Sequence, residues 1–247
     1  MRVLDLDLDF FLADCCPLAE PGCRPALLGH EPWSAARVAQ FLEKNCGLSK
    51  ASPVPGRIFT THDGALGWWD VLQREGTLTI PFSVTHVDAH SDLGIGYPGP
   101  TFVLQNVIGC LPEKRSALAR YYRTKQLDEA NYLLFALAFR WIDRLENVRN
   151  PKSRPDLPGQ ILQYTDGVPT AIQLRSPLSV MLEAKNGPEP VIPFAVYENY
   201  TQFFAAAPYD FASVAISPRY APKEADALID VISQYLLLPL APDSGSN

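Results

Sequence analysis

Residues 2–11 read R-V-L-D-L-D-L-D-F-F, an alternation without a break. Successive side chains on a strand point to opposite faces. Leu4, Leu6, Leu8 and Phe10 therefore share one face, and Val3, Asp5, Asp7, Asp9 and Phe11 share the other. Aspartate is a poor strand former, and like charges along one face repel. A strand this apolar is expected to be covered on both sides, where an ionised carboxylate is costly unless paired or bound to a metal. The fold must bring something cationic to these three aspartates. An edge strand with a solvated acidic face is the alternative for the same pattern.

A second polar stretch, His86–Asp92, reads H-V-D-A-H-S-D and follows the apolar run Ile80, Phe82, Val84. Asp88, His90 and Asp92 recur at every second position, so they converge on one side where that strand ends. Such ligand types at the carboxyl end of a central strand are what a metal site in an open α/β sheet needs. A polar cluster hydrogen-bonded to loops is the bland counterpart. His62-Asp63 follows a third short strand, Arg57–Thr61. Aspartate oxygens with a minority of imidazole and no cysteine favour Mn²⁺ ahead of Fe²⁺ or Zn²⁺. Six such ligands suffice for two ions that share bridging carboxylates and lower the pKa of a water between them.

Elsewhere strands alternate with helical segments. Residues 13–33, with four prolines, read as an irregular loop. A helix follows, capped by Ser34, with Val38, Phe41 and Leu42 as its apolar stripe and Gly47 beyond its end. Asp63 is placed to cap a helix from Ala65 to about Arg74; Trp68 and Trp69 on it read as packing residues, with Trp68 near enough to the turn to line a pocket. Pro112–Arg123 and Asp128–Val148 read as helices, the second with Ala130, Leu133, Leu134, Leu137 and Trp141 on one stripe. Asp166-Gly167 marks a hairpin, Val191–Tyr197 and Ser213–Ser217 are strands, and Pro222 starts a last helix. Gly94–Pro100, rich in glycine and proline, reads as a loop at a site mouth. The class is α/β with a mostly parallel sheet. No second core pattern follows the proline-rich stretch Asn150–Pro158, so residues 1–247 read as one domain.

Composition narrows the partners. The 247 residues are 47% hydrophobic and 19% charged, with net charge −6 and no long basic block. That argues against nucleic acid and anionic membranes and suits a cationic substrate. No apolar run approaches the roughly 20 residues that span a bilayer, and Asp5, Asp7 and Asp9 interrupt any signal-peptide core. The five cysteines show no CxxC pairing and read as reduced thiols of a cytoplasmic protein. Cys15, Cys16, Cys23 and His30 fit no common zinc spacing. Pro242–Asn247 reads as a disordered tail.

V-D-A-H-S-D (87–92) resembles the D-A-H-x-D metal motif of the arginase (ureohydrolase) family. D-L-D (7–9) resembles that family's D-x-D motif, with Asp5 and Asp7 as the alternative alignment, and His62 resembles its single upstream histidine. The resemblance implies a three-layer arginase/deacetylase-like sandwich holding two Mn²⁺. Asp88 and Asp7 would bridge the ions, His62 and Asp92 would complete one, and His90 and Asp9 the other. Asp92 would also be the catalytic residue that orients the nucleophile. In ordinary arginases D-x-D follows D-A-H-x-D; here it precedes it, so the order is circularly permuted. No histidine follows Asp92, which leaves the family's proton-shuttling histidine without a counterpart. Glu198 and Glu224 are the candidates for gripping a guanidinium.

The permuted order, with D-L-D-L-D-F-F at residues 5–11, is similar to the peptide arginases of the superfamily. They convert arginine to ornithine in ribosomally made precursor peptides, with release of urea. An arginine-containing precursor peptide is the partner this implies. The competing readings are a metal-dependent amide hydrolase or deacetylase on the same fold, and a ureohydrolase acting on a small free guanidino compound. A phosphatase using its N-terminal D-x-D, and a binding module with structural metals, are more distant.

Overall fold

The computed structural model describes residues 1–94, 99–176 and 187–239, together with 178, 181 and 183. Among the described residues nine strands are formed: β1 (Arg2–Asp7), β2 (Val54–Phe59), β3 (Phe82–Asp88), β4 (Ile142–Arg149), β5 (Leu162–Thr165), β6 (Val168–Ile172), β7 (Ile192–Tyr197), β8 (Phe211–Ala215) and β9 (Leu236–Leu237). They join one sheet in the order β5-β6-β7-β4-β3-β1-β8-β2-β9. From β7 to β9 every neighbouring pair is parallel, and the β5–β6 hairpin adds an antiparallel edge. The α/β class with a mostly parallel sheet is thus the observed one.

The alternation in β1 explains how both faces are covered. Leu4 and Leu6 join a core with Phe41 and Leu42 of α1 (Ala35–Lys44) and with Leu228 and Ile232 from the end of the chain. Val3 and Val84 join a second core, with Trp69 of α2 (Gly64–Arg74). Three further short helices are α3 (Gly99–Phe102), α4 (Leu118–Arg123) and α5 (Tyr132–Ala138), and α6 is Leu228–Ile232. The chain leaves β1 for β2 on one side and returns to β3 on the other, so the carboxyl ends of β1 and β3 flank a switch in strand order. Crevices at such switches are where open α/β sheets bind ligands.

Two expected elements are corrected. The strand expected over 2–11 stops at Asp7, and Leu8–Phe11 wind into a 3-10 turn. The Asp7 carboxylate accepts the Asp9 N–H at 3.0 Å and so caps that turn. Phe10 and Phe11, assigned to opposite faces by alternation, pack edge to face in one core with Trp33 and Phe41. The helix expected over 128–148 is limited to α5. Arg140, at φ +63°, breaks the chain out of helical conformation, and Ile142–Arg149 becomes β4 between β3 and β7. Pairing on both edges overrides the helical preference of its glutamate and arginines.

Smaller departures follow the same logic. Pro112–Lys114 is a separate 3-10 turn ahead of α4, and Lys223–Ala227 is another ahead of α6. Asp63 occupies the cap position of α2 but makes no side-chain cap hydrogen bond, whereas Ser34 does accept the Arg37 N–H. The hairpin turns at Asp166 (φ +51°) and Gly167 (φ +79°), a pair of left-handed residues that suits the twist of its strands. Residues 95–98 of the expected mouth loop and the tail 242–247 lie outside the described residues. Among those described, no helix is long and apolar enough to cross a membrane.

Candidate metal centre

Strand register assembles the site. β1 and β3 run parallel with Asp5 opposite His86, so the face carrying Asp5 and Asp7 adjoins the face carrying His86 and Asp88. The turn after β2 brings His62 over the same ends. His62 Nδ1 lies 3.0 Å from Asp88 Oδ2, 3.1 Å from Asp92 Oδ2 and 3.2 Å from Asp7 Oδ2. His86 Nε2 lies 3.4 Å from Asp88 Oδ2 and 3.9 Å from Asp92 Oδ2. All these residues are buried.

One imidazole N–H can donate to one oxygen of the three that surround His62 Nδ1. Neighbouring ligand atoms of an octahedral ion, each about 2.1–2.2 Å from it, stand about 3.0 Å apart. The buried Nε2 atoms of His62 and His86 have no hydrogen-bond partner among the described residues. Crowded carboxylates and orphaned imidazole nitrogens both fit a divalent cation. His62, His86, Asp88 and Asp92 each offer an atom within 4.8 Å of the others.

Asp9, Asp88 and His90 make a second such group. Asp9 Oδ2 is 2.9 Å from His90 Nδ1, and Asp88 Oδ1 is 3.5 Å from the same nitrogen. Asp88 therefore turns one oxygen to each group. Asp9 reaches His90 because the 3-10 turn carries it off the strand, and its Oδ1 accepts the Ala89 N–H at 3.2 Å. Asp7 stands with the first group: its Oδ2 also accepts from the Ser217 hydroxyl, while its Oδ1 is engaged by the Asp9 N–H.

The acids cannot all be charged here on their own. Burial first, then Asp7 and Asp88, push the Asp9 carboxyl well above its usual range. Burial and the neighbouring Asp88 push Asp92 up to about 7. Burial also opposes ionisation of Asp88 and Asp5, but adjacent histidines hold both well below the usual range. Burial disfavours the charged forms of His62 and His86 too, yet carboxylates around them raise both. A divalent ion in either group would relieve the repulsion and return Asp9 and Asp92 to the ionised form.

Above the ligands opens a cavity of about 110 Å³, walled by Ser91, Glu129, Asp156, Ser217 and Tyr220. Asp156 accepts the Ser91 N–H at 2.7 Å and pairs with the buried Arg149 at 2.8 Å, which ties the ligand loop to the end of β4. Glu129 is held more loosely, 3.9 Å from Arg219. Asp92 (φ +51°) and Ser217 (φ +46°) both adopt left-handed backbone at the cavity floor, a conformation that concentrates at functional sites.

All six residues singled out as metal ligands thus meet at one place: Asp7, Asp9, His62, Asp88, His90 and Asp92. Sequence reasoning left His86 out of the ligand set and gave Asp5 only as the alternative ligand beside Asp7, although both continue the every-second-residue pattern. It also missed Glu129 and Asp156, which come from loops with no motif. Glu198 and Glu224 are exposed and do not line the cavity; Glu198 pairs with Arg149 Nε at 3.6 Å. Trp68 packs on Phe59 and Phe211 and does not line it either. Cys15, Cys16, Cys23 and His30 form no metal-holding group among the described residues. No family model matches the sequence, and neither does any curated protein or any solved structure.

Proposed function

We propose that the protein hydrolyses arginine side chains in a ribosomally made precursor peptide to ornithine, with release of urea, using two Mn²⁺ on a permuted arginase-like three-layer sandwich. The observation that carries this reading is a pair of buried His/Asp groups sharing Asp88 on the floor of an acid-walled cavity. His62, His86, Asp88 and Asp92, with Asp7, would hold one ion; Asp9, Asp88 and His90 would hold the other. When bound, the ions lower the pKa of water and stabilise the charge that develops on the guanidinium carbon's substituents.

The chain's own groups supply recognition and proton handling. Glu129 is the better placed acid to pair with an entering guanidinium, because Asp156 is already engaged by Arg149 and Ser91. It takes the role assigned by resemblance to Glu198 or Glu224. Asp92 orients the attacking water, accepts its proton and returns it to the departing amine, since no histidine follows it in the sequence. The cavity is small beside the roughly 300–1,000 Å³ of pockets that engulf a whole ligand. That size supports a side chain entering while its peptide stays outside.

The test is to incubate the Mn²⁺-loaded protein with synthetic peptides carrying one arginine and, separately, with free arginine. Each processed peptide should lose the mass of CH₂N₂ while urea accumulates. Turnover of free arginine with the peptides untouched would overturn the substrate, and no urea from either would overturn the reaction.

A further inference from the structure

We infer that Arg219 selects the peptide: its guanidinium takes the carboxylate of an aspartate or glutamate flanking the arginine that enters the cavity. The inference rests on the peptide reading of the substrate and says which peptides are taken. Arg219 lies in the chain between Ser217 and Tyr220, both of which wall the cavity. A reciprocal tie to the loop over residues 13–33 fixes its place. The Ala19 N–H donates to the Arg219 carbonyl at 2.9 Å, and Arg219 Nε donates to the Ala19 carbonyl at 3.0 Å. Nη1 approaches Glu129 Oε1 only to 3.9 Å, beyond hydrogen-bond reach. Among the described residues, neither Nη1 nor Nη2 of Arg219 has a hydrogen-bond acceptor, and the side chain is 35% exposed.

Two other arginines close by are already matched to acids. Arg24 donates to the Ala221 carbonyl at 3.1 Å and binds both carboxylate oxygens of Asp226 at 2.9 Å. Arg149 is buried and pairs with Asp156 at 2.8 Å. Arg219 has no carboxylate at that distance, yet its parallel N–H groups have the geometry that a carboxylate fits. Charge at the rim points the same way. Once the substrate's guanidinium pairs with Glu129, Arg219 stands beside that pair with like charge and no counter-ion. A carboxylate next to the entering arginine would bridge to Arg219 and remove the repulsion, whereas a lysine there would add to it. The cavity, at about 110 Å³, takes a side chain and leaves the flanking residues at its rim.

The test compares end-blocked peptides carrying one arginine flanked on both sides by aspartate, by alanine or by lysine, with the Mn²⁺-loaded protein. In the wild type KM should be lowest for the aspartate peptide and highest for the lysine peptide. The aspartate peptide should stand roughly 3–10-fold below the alanine one, between an exposed ion pair and a charge-assisted hydrogen bond. Arg219→Gln should equalise aspartate and alanine, and Arg219→Glu should reverse the order in favour of lysine. Ratios within one variant cancel any general loss caused by releasing Ala19. Equal KM for the three peptides in the wild type, or an aspartate preference kept in both variants, would overturn the inference. An effect of Arg219→Gln on free arginine alone would assign the carboxylate to the free amino acid and overturn it as well. If no peptide releases urea, the proposed reaction fails by itself. The same comparison of Kd, by fluorescence anisotropy of labelled peptides, then decides the role of Arg219.

Discussion

The two ligand groups share Asp88 but are built differently. In the first, His62, His86, Asp88 and Asp92 are each at most 7% exposed, and His86 and Asp88 sit on a strand paired along both edges. Asp5, itself buried, stands behind the two histidines. In the second, Asp9 comes from a 3-10 turn and His90 from a loop, and the His90 side chain is 35% exposed against the ring of Tyr220, 4.8 Å away. The first is an enclosed pocket, with Asp5 set between the two histidines and the Ser213 hydroxyl. The second has a partly exposed histidine that packs on the ring of Tyr220. A buried, braced site should bind its ion tightly, and the open one should exchange.

The largest expected effect removes what the groups share. Asp88→Ala should lose both ions and, because metal assistance is worth several kcal/mol, reduce turnover on the order of 10³-fold or more. Full activity in that variant would sink the shared-ligand assignment. Next comes removal of the metal from the intact protein. A ligand present at 100 times its Kd stabilises the folded state by about 2.7 kcal/mol. For a chain of this size that is roughly 5–11 °C in Tm. Scanning calorimetry in chelator and in excess Mn²⁺ measures it; equal melting temperatures would mean that the clustered acids hold no ion.

Where the sequence anticipated the site, it did so through period two. Positions 5, 7, 86 and 88 share one face because strands alternate, and parallel register sets them side by side. His62 was visible because it ends a third strand. What alternation could not show was where a strand would stop. Asp9 reaches its partner only because the chain leaves the strand at Asp7, a bend decided by the packing of Phe10, Phe11, Trp33 and Phe41. β4 was hidden for a related reason. Its Glu146 and Arg149 are buried, and partners on other segments hold them: Thr85 donates to Glu146 at 2.9 Å, and Arg149 pairs with Asp156. Read alone, such residues suggest the solvated side of a helix. The cavity walls at Glu129 and Asp156 carry no local pattern at all, since only the fold brings them over the ligands.

The comparison between the groups is sharpened by taking one histidine from each. His90→Ala should keep the first ion, so the metal content measured after dialysis should fall from close to two to close to one. His62→Ala should release the first ion and weaken the second, because Asp88 would no longer be held between two charged partners. Equal losses in the two variants would show that the groups do not differ in kind.

The smallest expected effect lies at the open end. Tyr220 touches the second group only through its ring, which packs edge to face on His90. An aromatic contact of this kind is worth about 0.5–1.5 kcal/mol, which is roughly 2–12-fold in an equilibrium constant. Tyr220→Ala should weaken the second ion by that factor and leave the first unchanged. Tyr220→Phe keeps the ring, so it should bind both ions as the wild type does. Titration of metal-free protein with Mn²⁺, followed by the loss of the free-ion electron paramagnetic resonance signal, resolves the two steps. A shift of the tighter step in Tyr220→Ala would mean that the buried group also depends on the cavity wall, and the contrast between a braced and an open site would not hold.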